Sequence, residues 1–223
     1  MGKKSLLLSS LALLAVSWAV APPRAEAMSC ANVSDVTLLS AAGCDFGGLT
    51  FSNFSVSASA GFTAATVGVG PSSIATPTNV NLIYQLSSTP GVGPGDVLLR
   101  YGVTAPPGTQ LTGIDLTNDA TTGVVIGEVA CRVMFSPTGT CAPADRLATL
   151  VATTGQTMNA SFASPVDFVF LHKDIDILVG GFISDFSNSH DIAPTPEPAT
   201  LLLLGSTLTG MGLAWRRRGG RLA

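Results

Sequence analysis

The side chains with chemistry to offer in this 223-residue chain are two histidines, four cysteines and a late group of carboxylates. The densest group lies between Phe168 and Gly181, where Phe168, Phe170, Ile175 and Ile177 bracket His172-Lys173-Asp174. Side chains alternate along a strand, so Asp174 and Asp176 share one face and can offer oxygens to calcium, with Asp167 or Asp185 as further ligands. Calcium takes about six to eight oxygens, and no compact D-x-D-x-D-G loop is present. The expectation is therefore no bound metal and no cofactor, with Asp174 and Asp176 solvated or paired with Lys173 or a neighbouring strand. A Ser-His-Asp set can be assembled on paper from His172, Asp174 and the many serines, but no motif supports it. The chain has no H-E-x-x-H, G-x-S-x-G, Walker loop or dinucleotide fingerprint. Gly91-Val92-Gly93-Pro94-Gly95 superficially resembles a phosphate loop, yet prolines interrupt it and no helix follows to present its N-terminus, so it reads as a turn. The chain is not expected to be an enzyme.

The cysteines fall into two sequence-local pairs, Cys30 with Cys44 and Cys131 with Cys141. Four cysteines allow three connectivities, and the local one is expected. Neither spacing is the C-x-x-C of redox chemistry, and no histidine is close enough in sequence for a zinc site. Each bridge would close a short loop and stabilise an exported protein by about 2 to 3 kcal/mol.

The elements that must position these groups read as strands. Leu49 to Ser57, Val80 to Leu86, Val97 to Thr104, Leu111 to Thr117, Val124 to Val133, Thr157 to Ala163, Val166 to Leu171 and Ile175 to Phe186 are short, rich in β-branched and aromatic residues, and separated by turn chemistry. Alternation is clearest in Val80, Leu82, Tyr84, Leu86 and in Val97, Leu99, Tyr101, Val103, whose side chains would face one core. Nothing sustains a helical period, and Ser52 to Ser73 is rich enough in small residues to be irregular in part. The fold class expected is all-β, a single antiparallel β-sandwich or jelly-roll-like domain over residues 28–191. Within it Arg100, Arg132, Arg146 and Lys173 stand against twelve carboxylates, too few bases to neutralise phosphates, which excludes nucleic acid as a partner.

Both ends are processing segments. Lys3 and Lys4 precede the apolar run Leu6 to Val20, and Ala25-Glu26-Ala27 offers a small-x-small cleavage site, so residues 1–27 read as a signal peptide. At the other end Thr195-Pro196-Glu197-Pro198 leads into residues 199–215, which carry no ionisable side chain, and then into Arg216-Arg217-Arg218. A helix over that run spans roughly 25 Å, short of a hydrocarbon core of about 30 Å. Gly205, Gly210 and Gly212 loosen it by about 1 kcal/mol each. Residues 192–223 thus form a linker, a marginal membrane-spanning helix and a stop-transfer cluster, with Glu197 presented between two prolines on a stiff strand.

This tail resembles the PEP-CTERM sorting signal of exported bacterial proteins, matched by Pro196, Glu197 and Pro198, the Leu-rich helix and the Arg cluster. The resemblance implies processing near the tripeptide by an exosortase in a Gram-negative envelope. It implies an inner-membrane-anchored precursor, held there transiently, and then a cell-surface or extracellular product. It also implies a structural role among exopolysaccharide and biofilm material. Proteins with such tails share a late Lys173-Asp174-Ile175 and an early pattern matched by Cys44, Phe46, Leu49, Phe51, Asn53 and Phe54, both read as fold-forming. The first alternative role is a carbohydrate-binding or adhesive lectin-like module, which needs an exposed aromatic platform for which only Tyr84, Tyr101 and a few Phe are available. The second is an extracellular hydrolase, which needs a polar cleft holding a titratable pair.

Overall fold

The alternation in Val80, Leu82, Tyr84, Leu86 and in Val97, Leu99, Tyr101, Val103 turns all eight side chains inward, where each is buried. They lie in a computed structural model that describes residues 28–195, apart from 32, 40–42, 59–61, 91–93, 121 and 137–138. Thirteen strands follow in chain order: β1 (Met28–Ser29), β2 (Cys44–Phe46), β3 (Leu49–Ala58), β4 (Phe62–Val69), β5 (Ile74–Ala75), β6 (Asn79–Pro90) and β7 (Gly95–Thr104). The second half adds β8 (Thr109–Thr117), β9 (Thr122–Cys131), β10 (Arg146–Thr153), β11 (Thr157–Val166), β12 (Phe168–Phe182) and β13 (Asp185–Pro194). The only helical pieces among the described residues are two 3-10 turns, Val36–Leu38 and Pro143–Asp145.

The strands form two sheets. One runs β1-β2-β3-β7-β12-β9-β10, and the other β11-β8-β13-β6-β4 with β5 on the side of β6. Every pairing is antiparallel except β1 with β2. The inner faces meet in one apolar core, as in a β-sandwich: Tyr84 of one sheet lies 5.5 Å, centroid to centroid, from Tyr101 of the other, and Phe51 of β3 meets His190 of β13 at 5.3 Å. Of the early pattern, Phe51 is fully buried, and Phe46 and Phe54 pack against the same core. Between β2 and β3 the chain reverses through Gly47 and Gly48 at φ of 59° and 85°, the positive angles that a two-residue hairpin turn demands. Disulfides join Cys30 to Cys44 and Cys131 to Cys141. The first ties the N-terminal segment to β2, and the second closes the loop that follows β9.

The strand boundaries differ from the sequence reading in four places. The segments 166–171 and 175–186 are not separate strands divided by a polar break. β12 runs unbroken through His172-Lys173-Asp174, because Lys173 finds a carboxylate inside the core, and the turn comes at Ile183-Ser184 instead. The small-residue stretch after Ser52 is mostly strand, in β3 and β4. β10 was missed because its inward residues, Ala148, Leu150 and Ala152, are small enough that the alternation is faint. β13 extends through Pro194, past residue 191, and Thr195 donates its backbone N–H to Gly108 O at 3.0 Å. No helix among the described residues is long and apolar enough to cross a membrane, and residues 1–27 and 199–215 lie outside those residues.

Candidate functional site

β12 has an apolar inner row, Val169, Leu171, Ile175 and Ile177, and Lys173 sits in that row, fully buried. β9 likewise directs Val124, Ile126 and Ala130 inward, with Glu128 in the same row and also fully buried. Antiparallel register places the two opposite each other, and Lys173 Nζ donates to Glu128 Oε2 at 2.5 Å. Lys173 is thus not a partner of Asp174 or Asp176, which occupy the other face of the strand. The alternation that groups the two aspartates also turns the lysine away from them.

From the facing sheet, β13 brings Phe186, Asn188 and His190 into the same space, all buried. Asn188 Nδ2 donates to Glu128 Oε2 at 3.2 Å, to Oε1 at 3.3 Å and to the backbone oxygen of Asp115 at 2.6 Å. Its Oδ1 accepts from the Tyr101 hydroxyl at 2.6 Å. Carboxylate and carbonyl oxygens only accept, so this network fixes which end of the amide is nitrogen. The Phe186 ring covers Lys173 Nζ at 5.7 Å. Burial drives the Glu128 carboxyl up and the Lys173 amine down, each toward its neutral form, and their mutual attraction opposes the shift. Burial also raises the Tyr84 and Tyr101 phenols. His190 is pushed down to about 3 by burial. It is therefore neutral, and Nδ1 carries the proton that it shares with Val80 O at 3.3 Å.

The outer face of the first sheet holds a shallow cleft of about 180 Å³ lined by Asn53, Ser55, Arg100, Met134, Phe135 and Phe170, with the buried Tyr101 at its floor. A bulge between Ser52 and Ser55, with Asn53 at φ 57°, re-aims β3 over this cleft. Beside it Arg100 Nε donates to His172 Nδ1 at 2.9 Å, and the His172 ring lies 5.4 Å from Phe135. Partial burial, and then the Arg100 charge, lower the His172 pKa. A β-carbon on Gly139 would stand 2.9 Å from both side chains, so the loop approaches this closely only as glycine. His172 Nδ1 thus accepts from an arginine, whereas a catalytic dyad would have a ring nitrogen donate to an acid.

Asp174 and Asp176 stand with Asp96 of β7, the register partner of Asp176, and ligand oxygens of the three lie within 4.8 Å of one another. Burial, and then the charges of Asp176 and Asp96, raise the Asp174 pKa. Three carboxylates can offer oxygens to a hard cation, fewer than a full calcium shell when each gives one. Asp167 and Asp185 are not part of this group: Asp167 accepts from Gln110 Nε2 at 3.0 Å and Asp185 from Ser184 Oγ at 3.1 Å. Ala25, Ala27, Pro196, Glu197, Pro198, Arg216, Arg217 and Arg218 lie outside the described residues.

Sequence reasoning passed over Glu128 and Asn188. The signal was a charged residue at an apolar beat, Ile126, Glu128, Ala130 in β9 and Leu171, Lys173, Ile175 in β12, with opposite signs in the two strands. Asn188 has the same mark between Phe186 and His190 in β13.

No curated protein matches the chain. Among solved structures, TmCBM61 in complex with beta-1,4-galactotriose is similar at 17% identity and a TM-score of 0.32, over 65% of this chain and 88% of that one. The enzymatically active domain of tailspike protein 4 from Bacteriophage CBA120 is similar at 13% identity and a TM-score of 0.30, over 64% of this chain and 19% of that one. Residues 194–218 match the PEP-CTERM protein-sorting motif.

Proposed function

Starting from an exported PEP-CTERM protein marked for exosortase processing, we propose that its β body is a non-enzymatic structural unit of the cell surface or extracellular matrix. In this reading, residues 1–27 are a signal peptide that is cut away, and one antiparallel sandwich follows. The helix over residues 199–215 holds the precursor in the inner membrane of a Gram-negative cell until exosortase acts near Pro196-Glu197-Pro198. The product works among exopolysaccharide in a biofilm.

The observation that carries this reading is the junction between body and signal. β13 is an interior strand, hydrogen-bonded to β8 on one side and β6 on the other, and it runs through Pro194. Thr195 is still pinned to Gly108 O, and the sorting motif begins where this strand ends. A body that reaches its sorting motif through the middle of a sheet is built to transmit load. The acidic, base-poor body is in keeping with a solubility setting outside the cell. Against a hydrolase stand the two histidines, one bonded to arginine and one sealed in the core.

The second reading, a carbohydrate-binding module, is favoured by the cleft that sets Arg100, Asn53 and Ser55 beside Phe135 and Phe170. Tyr84 and Tyr101 are core residues and supply no platform for it.

Intact-mass measurement and terminal sequencing of the exported protein, from cells with and without exosortase, test the proposal. The expected mature chain begins at Met28 and lacks the Arg216 to Arg221 peptide only when the exosortase is present. Persistence of that peptide on surface-exposed protein would overturn the sorting assignment. Co-sedimentation of the mature body with isolated exopolysaccharide tests the matrix role, and a body that stays wholly in the supernatant counts against it.

A further inference from the structure

Lys173 is the only lysine between Met28 and Asp191, and it is placed where an ammonium ion is hardest to keep. Among the described residues its partners are one carboxylate oxygen and the face of Phe186, so a group with three donors has one hydrogen-bond acceptor there. The amine and the Asn188 amide nitrogen both hydrogen-bond to the same oxygen, Glu128 Oε2. The three side chains are fully buried and come from both sheets, Lys173 and Glu128 from one and Asn188 from the other.

A dry space holding an amine, a carboxamide and a carboxyl group that bridges them contains the parts of an acyl transfer. The carboxyl is positioned to take a proton from one nitrogen and give it to the other. The Asn188 carbonyl oxygen already accepts from the Tyr101 hydroxyl, which would stabilise negative charge developing on it. We propose that Lys173 and Asn188 are joined by an intramolecular isopeptide bond, formed by the protein itself with Glu128 as proton carrier and Tyr101 as oxyanion donor.

The step balances without oxidant, metal or added reagent. Lys173 first passes a proton to Glu128, a transfer that burial of both groups favours. The lone pair of the neutral Nζ attacks Asn188 Cγ, and the new N–C bond places negative charge on Oδ1 beside Tyr101. Glu128 delivers its proton to Nδ2 and takes another from Nζ. The Cγ–Nδ2 bond then breaks, its electron pair leaves with nitrogen as ammonia, and the carbonyl re-forms as a secondary amide. Glu128 keeps the proton with which it ends, so the buried charges are gone along with the ion pair that required them.

The bond would connect β12, flanked by β7 and β9, to β13, flanked by β8 and β6. It would staple the middles of the two sheets. β13 is also the strand that continues into the sorting motif, so tension on the tail would reach β12 through a covalent bond and not through side-chain packing alone.

The test is mass spectrometry of the exported full chain, reduced and denatured, with Lys-C mapping. The expected mature protein is lighter than its sequence by about 17 Da, the mass of one ammonia lost on acyl transfer. Lys-C fails to cut after Lys173, and further digestion with Asp-N, which cuts before Asp167, Asp174, Asp185 and Asp191, releases a branched peptide in which Lys173 is joined to Asn188. Lys173→Met, similar in volume and apolar, should fold with its full mass, and Glu128→Gln should fold without the branched peptide. Full mass in the folded wild-type protein, with complete Lys-C cleavage at Lys173, overturns the proposal and leaves an ordinary buried ion pair. A loss that maps to any other residue overturns it equally. Branched peptide at wild-type yield in Glu128→Gln overturns the role of Glu128.

Discussion

His190 illustrates how a single buried side chain couples this fold to pH. Its pKa falls from the ordinary 6.5 to about 3 on folding, so below 6.5 the unfolded chain binds a proton that the folded chain refuses. Its contribution is fully present above pH 6.5 and declines as pH falls toward 3, by about 1.4 kcal/mol per pH unit. Burial raises the carboxyls of Asp115, Asp119, Glu128 and Asp174, and a raised carboxyl acts in the opposite direction, because the folded chain then holds its proton more tightly. Urea unfolding between pH 5 and 7.5 is therefore expected to show a larger loss of stability with acid in the wild-type protein than in His190→Gln, which should flatten the slope. An unchanged slope would show that His190 is not sealed from protons. The two core tyrosines separate in the same way. The Tyr84 hydroxyl is buried with no well-formed hydrogen bond, whereas that of Tyr101 donates to Asn188. Tyr84→Phe is expected to leave stability level or raise it, and Tyr101→Phe to lower it by about 1 to 2 kcal/mol, both read from denaturant midpoints.

The strand ends are held by particular residues as well as by pairing. Asn118 follows β8 fully buried, and its Nδ2 donates to Val124 O at 3.0 Å and Ala152 O at 3.1 Å while its Oδ1 accepts from Ala120 N at 3.1 Å. One amide therefore ties β8 of one sheet to β9 and β10 of the other. Asn118→Ala takes a buried hydrogen-bond partner from Val124 O, Ala152 O and Ala120 N and is expected to cost about 2 to 3 kcal/mol, read from thermal and urea unfolding. Removing the second disulfide with Cys131→Ala and Cys141→Ala frees the loop after β9 and should cost about 2 to 3 kcal/mol. At this scale much was legible beforehand. Val80 to Leu86 and Val97 to Thr104 announced themselves because large apolar residues recur at every second position, and the turns between them carry Pro and Gly. β10 did not, because alanine marks most of its inner face, and β12 was cut in two because a polar triplet in mid-strand looks like a turn until a buried acid is found beside it.

For the molecule as a whole, the consequence of this architecture is that export and folding meet in one strand. β13 is interior to its sheet and leads into the sorting motif, so any tension on that motif would act on the centre of the body. A chain ended after Thr195 retains every described strand and lacks the rest of the sorting motif. It is expected in the soluble periplasmic fraction, where the full precursor of exosortase-deficient cells is expected with the membranes. Recovery of the truncated chain in the membrane fraction would point to a second attachment.

The residue order alone set out the sorting motif, the local cysteine pairs and the inward-facing rows, because each depends on neighbours within a short stretch: a tripeptide before an apolar run, cysteines 10 or 14 positions apart, a period of two. The meeting of Lys173 with Glu128 and Asn188, of Arg100 with His172, and of Asp96 with Asp174 and Asp176 was decided only by the tertiary structure. Lys173 and Glu128 are 45 positions apart, Asn188 and Glu128 are 60 apart, and Arg100 and His172 are 72 apart. Strand order and register choose such partners when the two sheets bury their inner faces against each other, and the free energy for that choice comes from closing the whole core.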